Sequence, residues 1–228
     1  MTADITLFSN VKIGLEAELA MLTTVSDGAA AQFLLWRAAK PALVLPERFS
    51  RRGGFASATA ASAGSGWPVS TRRTGGGITP QGPGVLNLAM AFRVPPKDAR
   101  SVAATYAAIC DPLIDAFAAI DLKAEAAPVT GSFCDGDYNL AINGRKIVGT
   151  AQRWRGPSVL CHALILVDLN LAQAVAAAQR LSDGLELGDT YDVAVHTTIE
   201  REKKGPTPFL RTLSKTLKRR RFVEARAP

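Results

Sequence analysis

The chain is poor in the residues that build metal centres and covalent frameworks. Its 228 residues include three cysteines, two histidines and 7% aromatics. Cys110, Cys134 and Cys161 are odd in number and widely spaced, which argues against a disulfide scaffold and for a reducing, cytoplasmic setting. A histidine–cysteine metal site has only His162 and His196 to draw on, and its ligands would have to come from scattered stretches. No uncharged apolar run reaches about 18 residues, so no membrane span is expected. The richest candidate, "SVAATYAAICDPLIDAFAAI", is interrupted by Asp111, Pro112 and Asp115. The opening "MTADITLF" lacks the basic segment and apolar core of a secretory leader. Aromatics are not interleaved with the arginines, so a base-stacking platform for nucleic acid is not expected.

What is present suits a folded domain. Hydrophobic residues make up 47% and charged residues 21%, which fits one domain over residues 1–228. The net charge is +7, much of it in "KTLKRRRF" within a basic helix or tail from about 206 to 228. Such a segment favours an acidic partner, or is simply solvated.

Hydrophobic periodicity sets the element pattern. "VKIGLEAELAMLTT" reads as an amphipathic helix over 11–24. "QFLLWR" and "ALVL" read as short strands around Lys40-Pro41. "GFASATAASAGSG" is either a helix packed closely on a sheet or a loop that closes over a ligand. "WPVSTRR" and "VLNLAMAFRV" read as strands, 97–119 as the best helix, "SVLCHALILVDL" as a buried strand, and "NLAQAVAAAQRLS" as a helix capped by Asn170. Beyond Asp189 one short extended stretch and a terminal helix are expected. Strands and helices interleave, yet one strand pair is a hairpin. The fold class is therefore α+β, a mixed sheet flanked by helices.

That hairpin is "DYNLAINGRKIVG". Asn143-Gly144 between alternating runs suits a two-residue turn with positive φ at both positions. The register predicts Ile142 opposite Arg145, Ala141 opposite Lys146, Leu140 opposite Ile147, and Asn139 opposite Val148. Tyr138, Leu140, Ile142, Arg145 and Ile147 then share the core face. Lys146 falls on the other face beside a small alanine and an asparagine. It is either a ligand contact or a solvated lysine. In "LCHALIL" the same alternation separates His162 from Cys161, so the two do not form a nucleophile–base pair. The spacing places His162 with Leu160 and Leu164.

"RRTGGGITPQGPG" joins Arg72 and Arg73 to Gly75, Gly76 and Gly77. Bare glycine backbone presents N–H groups that can cradle an anion, and guanidinium groups suit phosphate or carboxylate. A tight loop with solvated arginines is the alternative. The stretch is neither a Walker loop nor a dinucleotide fingerprint.

Four stretches in order, "FLLWRAAKPALVLPER", "RRTGGGITPQGPGVLN", "DYNLAINGRKIVGTAQRWR" and "CHALILVDLNL", resemble the lipoate–protein ligase A family over roughly residues 11–175. The resemblance implies a biotin/lipoate ligase-like catalytic domain that attaches a lipoyl or octanoyl group to a lysine of a lipoyl-carrier domain through an acyl-adenylate. ATP and Mg2+ would be cofactors, with lipoate or octanoate as substrate. It implies that Arg72, Arg73, Thr74, Gly75–Gly77, Gln81, Asn139, Gly149, Thr150 and His162 line the acyl or adenylate site. Lys146 would contact the acyl carbonyl and phosphate, and Trp36 would pack near the acyl channel. The family's accessory C-terminal domain is not expected within this length; a separate accessory subunit is an option. This chain departs from the family at Gln81, where many ligases carry histidine, and at Asn139, where they carry a magnesium-binding aspartate. Asp135 or Asp137 would then have to hold the metal. The alternatives are an ATP-independent transferase using a thioester on Cys134, a cysteine that otherwise reads as an ordinary loop residue, or a non-catalytic lipoate binder.

Overall fold

The computed structural model describes residues 5–94, 101–203 and 205–219. In chain order its elements are β1 (Ile5–Phe8), α1 (Val11–Ser26), β2 (Gln32–Ala38), β3 (Ala42–Pro46), α2 (Phe55–Gly64), β4 (Val69–Arg72), β5 (Thr79–Gln81), β6 (Val85–Arg93), α3 (Val102–Ala118), β7 (Glu125–Ala126), β8 (Leu140–Ile142), β9 (Arg145–Arg155), β10 (Ser158–Leu166), α4 (Leu171–Gly184), α5 (Ile199–Glu202) and α6 (Thr207–Arg219). The strands form two sheets. The larger has the order β1-β2-β6-β10-β9-β8-β7, and the smaller β4-β3-β5. The pairs β1–β2 and β3–β4 are parallel, and the remaining pairs are antiparallel. The mixed sheet expected from the hairpin is present. The strands on either side of Lys40-Pro41 belong to different sheets.

Alternation on β6 and β10 divides the core. Leu86, Leu88 and Met90 join Cys161, Ala163 and Ile165 in a cluster with Ile109, Leu113 and Phe117 of α3. Ala89, Ala91 and Leu160 point the other way, onto Leu22 and Val25 of α1. Helix α1 sits very close to the sheet: a Cβ on Gly14 would stand 2.3 Å from the Trp36 ring. The small sheet packs Leu43 and Leu45 on α2 and α4. The "GFASATAASAGSG" segment is thus a packed helix. Asn10, Ser101 and Asn170 cap α1, α3 and α4 through their side chains. Helix α3 begins at Val102, and residues 97–100 of the expected helix lie outside the described residues.

Two expectations for the C-terminal part change. The stretch after Asp189 forms no strand among the described residues. It makes a 3-10 turn at Val193–Val195 and a single parallel bridge between Lys146 and His196. The described part of the expected basic tail, helix α6, is not simply solvated, because it buries Phe209, Leu213 and Leu217 against the α3 cluster; residues 220–228 of that tail lie outside the described residues. Each such side chain contributes about 1.5–3 kcal/mol, enough to anchor the helix despite its charge.

Candidate active site

The hairpin holds its register only near the turn. Ile142 faces Arg145 and Ala141 faces Lys146, with φ of 51° at Asn143 and 72° at Gly144. Leu140 then pairs with Val148, across a register shift, and not with Ile147 as the simple alternation predicts. The extra residue lets Ile147 and Val148 both enter the core cluster. It also frees Asn139 from the expected pairing with Val148. The Asn139 side chain instead donates to the Cys134 carbonyl at 2.9 Å and accepts from the Thr150 N–H at 3.2 Å.

Lys146 is not the solvated lysine of an exposed strand: it is 2% exposed. Its Nζ donates to the carbonyls of Phe133 and Cys134, the latter at 2.8 Å. Burial lowers the ammonium to about 8, opposed in part by Cys134 and Asp135. His196 braces the same loop. Its Nε2 accepts the Phe133 N–H at 3.0 Å and its Nδ1 donates to the Asp192 carbonyl at 2.7 Å. Burial drives this imidazole down to about 4, consistent with a neutral ring that accepts at Nε2.

These clamps converge on Cys134. Its φ is +53°, a left-handed conformation that is uncommon for residues other than glycine and costs of order 1–3 kcal/mol. Two donors, Lys146 and Asn139, hold its carbonyl in place. The thiol lies against the glycine loop: a Cβ on Gly76 would meet Cys134 Sγ at 2.2 Å. Cys110 and Cys161, by contrast, are buried, and burial raises both to about 12.

Arg72 builds the glycine loop from inside. Nε donates to Gly75 O, Nη1 to Val44 O and Thr79 Oγ1, and Nη2 to Gly75 O and Gly77 O, over 2.8–3.2 Å. All five guanidinium donors are engaged, so Arg72 shapes the loop. Arg48 donates to Gly76 O at 2.7 Å. The three glycine carbonyls are thus tied to arginines, while the described backbone bonds give the N–H groups of Gly75–Gly77 no acceptor. Arg73 is exposed, with Glu47 3.7 Å from its Nε.

A narrow cavity of about 30 Å³ lies between the sheets. Leu15, Val44 and Leu164 form its apolar wall, and Arg72, Gln81, Asn87, Cys134, Gly149, Thr150 and His162 its polar one. Gln81 and Asn87 satisfy each other through paired amide bonds of 2.8 and 2.9 Å. Lys146 stands behind this wall, 3.4 Å from where a Cβ on Gly149 would lie. Trp36 lies beneath α1, in the same core cluster as the cavity-lining Leu15 and Val44. A wider cleft of about 240 Å³ adjoins at Leu15, Arg72 and His162, between α1 and the Thr71–Thr74 strand end. His162 is the hinge of the two spaces. Its Nδ1 lies 2.9 Å from Glu18 Oε2 and its Nε2 3.0 Å from Thr74 Oγ1. Glu18 Oε1 accepts the Trp36 indole N–H at 2.9 Å. His162 is therefore part of a polar chain, not one more core side chain.

The residues expected to bear on magnesium have different surroundings. Asp135 accepts the Val129 N–H at 2.7 Å, Asp137 is exposed, and Asn139 is committed at both ends to the loop. Among the described residues no three His, Cys, Asp or Glu side chains converge.

Sequence reasoning missed Glu18 and His196. Glu18 had a readable signal: it shares the buried stripe of α1 with Leu15, Leu22 and Val25, where a carboxylate must find partners. His196 had none, since its contacts are long-range.

Comparison with known proteins places the chain in a family. The chain is 39% identical over 196 residues to an uncharacterized protein of Cupriavidus necator, covering 78% of this chain and 76% of that one. It is 38% identical over 141 residues to an octanoyl-[GcvH]:protein N-octanoyltransferase of Kyrpidia tusciae, covering 60% of this chain and 46% of the relative. The crystal structure of a lipoate-protein ligase A bound with ATP shares the fold, with a TM-score of 0.68, 17% identity, and coverage of 96% and 86% of the two chains. The model of the lipoyl protein ligase A/B catalytic domain matches residues 12–202, and the chain belongs to that family.

Proposed function

We propose that this enzyme moves an octanoyl or lipoyl group between lysines of lipoyl-carrier domains through a thioester on Cys134. The observation that carries the reading is the setting of Cys134. It is a strained residue, clamped through its carbonyl by Lys146 and Asn139, and its sulfur faces both the cavity and the glycine loop. Strain held by several partners is a mark of functional sites. Cys134 attacks the acyl carbonyl of the donor, forming C–S and releasing the donor lysine. The acceptor lysine then forms C–N and releases the thiol. The N–H groups of Gly75–Gly77, turned free by the arginines that hold their carbonyls, face the charge that develops on the acyl oxygen. Lys146 orders the nucleophile's loop and places positive charge behind it. The apolar wall of Leu15, Val44 and Leu164 receives the acyl chain, which requires the cavity to widen on binding. The free thiols suit a cytoplasmic setting. Among the described residues no helix is long and apolar enough to cross a membrane.

A second reading is ATP-dependent ligation through an acyl-adenylate. Free N–H groups at a glycine loop suit a phosphate, which supports it. Asp137, exposed, and Asp135, which accepts one backbone N–H, would be the carboxylates available to a magnesium ion held by the nucleotide's phosphates. One assay pair separates the readings. Octanoyl transfer between two purified carriers without ATP, abolished in Cys134→Ala, supports the thioester route. Lipoate-dependent pyrophosphate exchange that persists in Cys134→Ala supports the ligase.

A further inference from the structure

Acyl exchange between amines requires a group that takes and returns a proton. Arginine cannot do so at ordinary pH, which removes Arg72 and Arg73. Lys146 lines neither the cavity nor the cleft, and its Nζ is turned to the Phe133 and Cys134 carbonyls. Cys134 itself carries the acyl group. In the cleft, Lys12, Glu16 and Glu47 are exposed and paired at the rim, Lys12 3.9 Å from Glu16 and Arg73 3.7 Å from Glu47, and neither Lys12 nor the two glutamates border the cavity that holds Cys134. Both oxygens of Glu18 are engaged, by Trp36 and His162. His162 Nε2 is left, on the one titratable side chain besides Arg72 that borders both spaces.

We infer that His162 is the proton acceptor and donor of the transfer, oriented by Glu18, and that the acceptor lysine enters through the cleft between α1 and Thr71–Thr74. The inference rests on the thioester reading. With Glu18 as a carboxylate, Nδ1–H donates to it and Nε2 carries the lone pair; Thr74 donates to that lone pair at rest. Three carboxylates, Glu16, Glu18 and Glu47, and three cations, Lys12, Arg72 and Arg73, line the cleft, so its charge is balanced and the wider opening beside Nε2 is what admits the lysine. In the first half-reaction the C–S bond forms and the donor C–N bond breaks. The sulfhydryl proton passes by way of Nε2 to the departing lysine nitrogen. In the second, the acceptor amine loses a proton to Nε2 as C–N forms and C–S breaks. Cys134 leaves as thiolate and recovers the proton from the imidazolium. Protons balance over the cycle.

The test separates proton transfer from acyl binding. The full chain is loaded with p-nitrophenyl octanoate, the adduct is located by mass spectrometry, and its discharge is timed with a carrier lysine and with hydroxylamine. Hydroxylamine attacks as a neutral amine at neutral pH and needs no base to expose its lone pair. His162→Gln is expected to slow discharge to lysine about 100-fold or more while leaving discharge to hydroxylamine within about twofold. Glu18→Gln is expected to lower kcat for the carrier lysine about tenfold at unchanged KM, in keeping with a positioning residue. Equal discharge to lysine by His162→Gln and the parent enzyme overturns the role of His162. So does a parallel loss with both nucleophiles, which marks a structural part. Absence of any adduct on Cys134 in the parent enzyme overturns the thioester reading beneath it.

Discussion

Replacing Gly76 by alanine puts a methyl group where Cys134 Sγ already stands. The new Cβ would lie 2.2 Å from Sγ and 2.9 Å from Arg72 Nη2. Unstrained non-bonded contacts are about 3.5 Å or more, so the sulfur or the loop must retreat by roughly 1.3 Å. The backbone adds a second penalty, because φ at Gly76 is +97°, which costs a side chain about 1–2 kcal/mol. That cost lowers stability without unfolding a domain of ordinary stability. A displacement of about 1 Å at a reacting atom can cost about 100-fold in rate. Gly76→Ala is therefore expected to stay folded and to form the Cys134 thioester at least about 100-fold more slowly. Gly75 is the internal control: a Cβ there meets nothing within 4 Å, and Gly75→Ala is expected to keep its rate within about threefold. Stopped-flow acylation with an activated octanoyl ester measures both. Equal rates for the two variants would refute the argument that Gly76 exists to seat the sulfur.

Lys146→Met removes a buried charge that costs roughly 3 kcal/mol, the shift from its ordinary value of 10.5 to about 8. It orphans the Phe133 carbonyl at about 1–3 kcal/mol, while Cys134 keeps Asn139 as a donor. The two nearly cancel, so unfolding midpoints are expected to move little while acyl transfer falls about 100-fold or more; an active variant contradicts the clamp. In the parent enzyme, Lys146 loses its proton as pH rises through about 8. Activity is expected to decline along that limb. The folded state binds fewer protons than the unfolded between about 8 and 10.5, so the Lys146 contribution to stability rises over the same range. His196 behaves in the acid range. Its folded value of about 4 lies below the ordinary 6.5, so its contribution is complete above 6.5 and is lost as pH falls towards 4, by roughly 3 kcal/mol. Urea midpoints of the parent and His196→Phe should therefore converge towards pH 4; parallel curves contradict the assignment. Asn139→Asp sets a carboxylate oxygen against the Cys134 carbonyl in place of an N–H donor. It should cost about 1–3 kcal/mol and lose transfer activity without gaining magnesium-dependent pyrophosphate exchange; a gain of exchange favours the ligase reading.

Local signals carried most of the fold. The Asn143-Gly144 turn, the cap at Asn170, and alternation on β6 and β10 follow from neighbours in the chain. The register slip at Leu140 was hidden because strict alternation has no term for a bulge, and both Ile147 and Val148 are apolar enough to take the core face. Arg72 reads in sequence as an anion contact beside three glycines. Only the fold reveals that the carbonyls of Val44, Gly75 and Gly77 and the Thr79 hydroxyl take its donors first. Lys146 reads as exposed because lysine usually is. Its partners come from the Phe133–Cys134 loop and, through a backbone bridge, from His196, 50 residues away in the chain. The Glu18–His162–Thr74 chain links three distant segments, of which only the misplaced carboxylate in α1 gives a local hint.

The most direct test is intact-mass analysis of the enzyme after incubation with an octanoylated carrier, with ATP and magnesium withheld. The account predicts a hydroxylamine-labile octanoyl adduct on Cys134 that forms and discharges to a second carrier at the rate of overall transfer. Full transfer by Cys134→Ala, or transfer that appears only when ATP is supplied, would contradict it.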